Sequence, residues 1–187
     1  MKYDMTIRDI AGFCPEEAVW KMMADVSQCL LTEEFNHALS PDSVVIVGDS
    51  FVMAKEHDMA GEFLAPEHIA GQGYDEKKTV WSLGSVAYYA ATGHLVFGGY
   101  GSGYQKEHPS VPLPVLPKGM QALTPIIQKC LCYSPDERVG LEELNGIATR
   151  GQRECSKQTR KKVNPIEGKE KHITYTGEKW PEEMTEL

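Results

Sequence analysis

The residues of this chain that could do chemistry are five cysteines, six histidines, one glycine-rich run and two blocks of unlike charge. Cys14, Cys29, Cys130, Cys132 and Cys155 form no even framework, so they read as buried reduced thiols of a cytoplasmic protein. Cys130 and Cys132 are separated by one residue inside a helical pattern, and the histidines are scattered without an HExxH-like spacing. No metal site and no cofactor follow from them. The run "GGYGSGY" (98–104) has the composition of a phosphate cradle but lacks the Lys-Ser/Thr ending and does not lead from a strand into a helix. It reads as a connecting loop.

The charges are sorted along the chain. The net charge is −8, but residues 1–149 hold 10 Lys and Arg against 20 Asp and Glu, whereas residues 150–187 hold 9 against 7. Positive charge is densest in "RGQRECSKQTRKK". An acidic body disfavours nucleic acid and anionic membranes and favours basic partners. No apolar run approaches the roughly 18 residues of a membrane helix. The N-terminal "MKYDMTIRD" has no apolar stretch after its lysine and does not read as a secretory signal.

With 187 residues the chain is long enough for one domain with a buried core, expected over 1–150, and a tail over 151–187. The tail is basic, then mixed polar, and Ile173, Tyr175 and Trp180 would dock as a strand or extended arm. In "PEEAVWKMMADVSQCLL", Pro15 suits a first helical position, Glu16 and Glu17 suit the first turn, and Val19, Met22, Met23, Val26, Cys29 and Leu30 follow helical spacing, which predicts a helix over roughly 15–31. "VVIVGDSFVMA" predicts a small hairpin turning at Gly48-Asp49. "APEHIA" has the length of one helical turn. "TVWSLGSVAYYAAT" is apolar nearly all round, so it belongs at the centre of the domain, with Gly93 as its C-terminal stop. Residues 93–117, rich in Gly and Pro, predict a long irregular connection. "GMQALTPIIQKCLCYS" resumes helical spacing with Pro125 near the start, and "SPDERVGLEELNGIAT" predicts a turn and a short helix.

Three of these stretches, in order, resemble the C-terminal lobe of protein kinases. Ala65-Pro66-Glu67 looks like the motif that ends the activation segment. "TVWSLGSVAYYAATG" looks like the central helix, and "CLCYSPDERVGLEEL" like the segment that supplies a buried arginine. The resemblance implies that Glu67 pairs with Arg138; a buried charge persists only when paired and hydrogen-bonded. It also implies a mainly α fold, the kinase C-terminal lobe with one small β-hairpin and no N-terminal lobe.

Upstream, "NHALSPDSVVIV" aligns with the kinase catalytic loop, yet the chemical positions differ. The base aspartate falls on Ala38, the lysine on Ser40 and the metal-binding asparagine on Ser43, with Asn36 and His37 before them. Where Asp-Phe-Gly would stand the chain reads Lys55-Glu56-His57, and the central-helix aspartate is Thr79. Phosphoryl transfer requires carboxylates for the metal and a base for the hydroxyl. The expectation is therefore that the chain is not an enzyme and binds no ATP.

A C-lobe of this kind resembles the kinase non-catalytic C-lobe domain, KIND, over roughly residues 5–150, with Glu16, Glu17 and Trp20 in place. The activation segment between Lys55 and Glu67 is short for the family, and 93–117 lacks a clear equivalent of the next kinase helix. The resemblance implies a scaffold acting by protein–protein interaction, with a basic peptide as partner on an acidic face. Glu56, Asp58, Glu62, Asp75 and Glu76 flank the shortened segment and are the candidate contacts. "KQTRKK" is itself a basic peptide and would reach that face or a second copy, giving self-association. The rival reading is an enzyme, either a residual pseudokinase or an unrelated hydrolase using a cysteine and a histidine.

Overall fold

Every turn of the central helix is covered by another element, and this arrangement follows from its lack of a polar face. In the computed structural model, which describes residues 5–32, 39–54, 60–68 and 75–163 (side chains to 160), the elements are β1 (Met5–Thr6), α1 (Ile7–Ile10), α2 (Glu16–Thr32), β2 (Val44–Val47), β3 (Ser50–Met53), α3 (Glu76–Thr92), α4 (Ser102–Glu107), α5 (Thr124–Cys130) and α6 (Leu141–Val163). Ten consecutive residues of α3, Lys78 to Ala87, are buried. Asp75 caps its start by accepting the Lys78 N–H at 2.9 Å. Gly93 ends it in the left-handed region, φ 72°, with its N–H on the Tyr89 carbonyl.

The helix expected over 15–31 is α2, shifted by one residue because the Pro15 carbonyl accepts the first turn's N–H groups of Ala18 and Val19. The expected hairpin is β2–β3, with Val45 opposite Val52 and Gly48 at φ 58° in the turn. Pairing of β1 with β2 makes it a three-stranded antiparallel sheet, an addition no periodicity signals in a two-residue strand. Asp25 of α2 ties the sheet down: its Oδ2 accepts the Phe51 N–H at 3.0 Å and the Lys21 ammonium at 2.9 Å.

Three local expectations change. Ala65–His68 is a turn closed by the His68 N–H on the Ala65 carbonyl, not a helical turn. Residues 93–117 contain a short helix, α4, where an irregular connection is expected. Its Gln105 is buried, accepting from Trp81 Nε1 at 3.2 Å and donating to the Leu131 carbonyl at 2.8 Å, so one polar side chain holds a glycine-rich segment against the core. The short helix expected after 135–138 continues as α6 to Val163, past Arg150. Its second half keeps only a few half-buried contacts: Gly151 lies against the Trp20 ring, and Ser156 donates to Glu17. The remaining tail, 164–187, lies outside the described residues.

The fold is mainly α, a kinase C-lobe-like piece with a small antiparallel sheet. Trp81, Met22, Met23, Phe63, Leu123, Ile127 and Leu144 centre its core. No helix among the described residues is long and apolar enough to cross a membrane.

Candidate functional site

The segment that ends at Glu67 is held by two polar ties, one from Arg138 in the loop before α6 and one from Ser82 of α3. Arg138, whose side chain is fully buried, donates from Nη1 to Glu67 Oε1 at 2.6 Å and from Nη2 to Oε2 at 3.2 Å. It spends its other donors on backbone carbonyls: Lys77 at 2.8 Å, Cys132 at 2.9 and 3.1 Å, and Tyr133 at 3.3 Å. Lys77 returns its ammonium to the Arg138 carbonyl. A planar guanidinium has the fork geometry for such a bidentate carboxylate grip, and its neighbours satisfy it completely. On the opposite side of the same segment, Ser82 of α3 donates to the Phe63 carbonyl at 2.7 Å.

Of the positions aligned with kinase chemistry, Ser40, Ser43 and Thr79 are described; Asn36, His37, Ala38, Lys55, Glu56 and His57 lie outside the described residues, as does Asp58 among the candidate partner contacts. Ser43 Oγ closes a turn, donating to the Ser40 carbonyl at 2.8 Å and accepting the Ser40 N–H at 2.9 Å. The Ser40 hydroxyl is buried and has no hydrogen-bond partner among the described residues. Thr79 bonds back to the Asp75 carbonyl of its own helix at 3.0 Å.

The three described acidic candidates have different situations. Glu62 lies in a 3-10 turn, Gly61–Phe63, and is half-buried. Gly101 (φ 52°) packs against its backbone so closely that a β-carbon there would stand 2.7 Å from Glu62 Cα. Asp75 is occupied as the α3 cap and by an ion pair with Lys78 at 3.2 Å. Burial alone would raise its pKa, but the hydrogen bonds from Lys78 outweigh burial and hold the carboxyl below its ordinary range. Glu76 accepts the Leu141 N–H at 2.7 Å and so caps α6 from another helix. Sequence reasoning had no means of seeing these two capping roles, nor the role of Gln105.

Three of the five thiols are unsuited to nucleophilic work. Burial pushes Cys14 up to about 11, raises Cys130 further, and raises Cys132 with a smaller contribution from Glu137. None of the five cysteines forms a disulfide, and no group of three or more potential metal ligands gathers among the described residues.

Residues 46–147 match the family model for the protein kinase domain. The chain belongs to that family. Among curated relatives, it is 33% identical over 82 residues to the serine/threonine-protein kinase Pkn1 of Myxococcus xanthus, covering 41% of this chain and 12% of that one. It is 34% identical over 97 residues to the mitogen-activated protein kinase kinase MST7 of Pyricularia oryzae, covering 44% and 23%. It is 29% identical over 120 residues to the serine/threonine-protein kinase OXI1 of Arabidopsis thaliana, covering 59% and 28%. The chain thus spans less than a third of the length of each of these relatives.

These matches correct the expectation that the chain is not an enzyme: the family model and relatives named as kinases point to a protein kinase. That expectation judged single aligned side chains, whereas catalytic groups are assembled in space by the whole scaffold. The non-catalytic half of the KIND reading goes with it.

Proposed function

We propose that this chain serves protein phosphorylation as the lobe of a kinase domain that receives a protein partner, taking a basic segment of that partner on its acidic face. The observation that carries the reading is the grip of Arg138 on Glu67. It fixes the end of the activation-segment equivalent, so the backbone bearing Glu62 is presented on a rigid base rather than on a free loop. The surplus of carboxylates over Lys and Arg in residues 1–149 supplies the polarity. Asp75 and Glu76 add to the field of that face while their carboxylates stay engaged as caps. A cytoplasmic setting belongs to the same proposal and is supported by five cysteines without a disulfide.

The basic tail enters this reading in altered form. Because α6 runs to Val163, "KQTRKK" (157–162) lies wholly within that helix, and a tail reaching the acidic face of its own or a second copy would be formed by residues beyond 163.

Fluorescence anisotropy of a labelled arginine-rich peptide, with a glutamate-rich peptide as control, tests the proposal on the intact chain. Binding of the basic peptide should weaken as salt rises, since exposed charges are screened within about 10 Å at 0.1 M. It should weaken again in Glu62→Lys. Equal binding of both peptides, or binding indifferent to salt and to Glu62→Lys, overturns it.

A further inference from the structure

The surface beside Glu62 carries two adjoining cavities that share a wall of exposed tyrosine. One, of about 430 Å³, is lined by Tyr100, Gly103, Tyr104, Glu107 and His108. The other, of about 420 Å³, adds Val96, Phe97, Pro112 and Pro114 to the same two tyrosines. Tyr100 is 83% exposed, far beyond what a ring of its size gains from packing, and Tyr104 is 39% exposed. Among the described residues, neither cavity is lined by lysine or arginine, although Lys106 lies on the same helix.

From Trp81 to His108 the rings form a stack. Trp81 and Phe97 lie 6.4 Å apart, Phe97 and Tyr104 6.4 Å, and Tyr104 and His108 4.5 Å, with interplanar angles between 23° and 29°. Its inner end, Trp81, is fully buried and held by Gln105. Tyr104 is therefore oriented by the core, and the Gly101 contact on Glu62 fixes the backbone between the two tyrosines.

An aromatic face carries negative electrostatic potential, and a carboxylate alongside it deepens that potential; the pair suits a guanidinium or ammonium. The neighbouring cavity offers apolar and proline surface to an uncharged side chain. We infer that the two cavities are a bipartite subsite for a basic peptide: an arginine or lysine enters the Tyr100–Tyr104–Glu107 cavity, and a nearby aliphatic residue of the same peptide enters the Phe97–Pro112–Pro114 cavity. The inference rests on the basic-partner reading above and adds to it a place and a sequence preference. Charge complementarity selects this occupant over an acidic or purely apolar one: the chain is net negative, and among the described lining residues Glu107 is the carboxylate, with His108 beside it.

The test uses the intact chain and immobilised alanine–glycine peptides carrying one arginine and one leucine at varied separations. Arginine-only, leucine-only and glutamate-for-arginine peptides serve as controls. Peptides with both residues should bind best. Tyr100→Ala should weaken them by about three- to tenfold, the range of a partly desolvated cation–aromatic contact, while Tyr100→Phe retains binding. Glu107→Gln should weaken arginine peptides and leave leucine-only peptides unchanged. Because Tyr100 is so exposed, its variants should keep the parent melting temperature. If leucine-only peptides bind equally well, the surface is an apolar groove and the cation subsite is refuted. If arginine peptides bind and respond to Glu62→Lys but ignore Tyr100→Ala and Glu107→Gln, the subsite is refuted while the basic-partner reading survives. If no arginine peptide binds, both fall.

Discussion

Arg138 reaches across 71 residues of sequence to hold Glu67 with both arms of its guanidinium, and it is the more deeply buried of the two. Removing the carboxylate strands a positive charge in the interior; removing the arginine strands three backbone carbonyls as well. Glu67→Ala should cost about 3–5 kcal/mol, and Arg138→Ala at least as much. The double variant should cost less than the sum of the two, as urea denaturation in a double-mutant cycle would show.

Gly84 offers a sharper steric test. A β-carbon there would stand 2.4 Å from Cys130 Cβ, so α3 and α5 touch through a missing side chain. Alanine is the better helix former by about 1 kcal/mol, yet Gly84→Ala should be net destabilising, because overpacking costs about 1–3 kcal/mol. Cys130→Ala should not relieve the variant, since the clash is with a β-carbon that alanine retains. Thermal melts of the two single variants and the double variant decide this.

Gly151 makes the corresponding test of α6. A β-carbon at that position would lie 2.6 Å from the Trp20 ring. Gly151→Val should lower the melting temperature, and truncation after Arg150 should lower it further by removing the contact of Ser156 with Glu17. A melting temperature unchanged by both would mean that α6 beyond 150 does not belong to the folded unit.

The buried thiols set an alkaline limit. An unfolded cysteine titrates near 8.5, whereas burial holds Cys14 up to about 11 and Cys130 above it. Between those values the folded state binds more protons than the unfolded state. Stability should therefore fall as pH rises above about 9. Iodoacetamide at neutral pH should label both residues only at the rate of unfolding, as mass spectrometry of the digested protein would reveal.

Asp75 sets an acid limit of the opposite sign. Its carboxyl, held below the ordinary range as the α3 cap, contributes stability that is fully present above the unfolded pKa and lost as pH falls through the folded one. Asp75→Asn should flatten this acid loss while keeping most of the cap. Asp75→Ala should cost about 0.5–2 kcal/mol at neutral pH by urea denaturation.

Much of this architecture is written in local pattern. The spacing of Val19 to Leu30 specifies α2, the run around Gly48 specifies the hairpin, and the uniform apolarity of "TVWSLGSVAYYAAT" requires burial at the centre. What escapes a sequence reading depends on direction rather than composition. α4 is stabilised by one buried glutamine whose partners lie 24 and 26 residues away, so a glycine-rich run hides it. The second half of α6 shows no apolar period because a glycine against tryptophan and a serine on a carboxylate replace a greasy stripe. Glu76 and Asp75 read as free surface charge, while each completes a helix start that only the folded backbone brings within reach. The tyrosine cavities are invisible for the same reason: Tyr100, Tyr104, Pro112 and Pro114 become neighbours only once Gln105 anchors the loop between them.

The aromatic stack has an optical consequence. Trp81 is sealed from solvent, and the ring beside it leads through Phe97 to a tyrosine at the molecular surface. A ligand that displaces Tyr104 should shift Phe97 and, through it, the packing around the Trp81 indole, a change that Trp81 emission would report once the other two tryptophans, Trp20 and Trp180, are replaced by Phe.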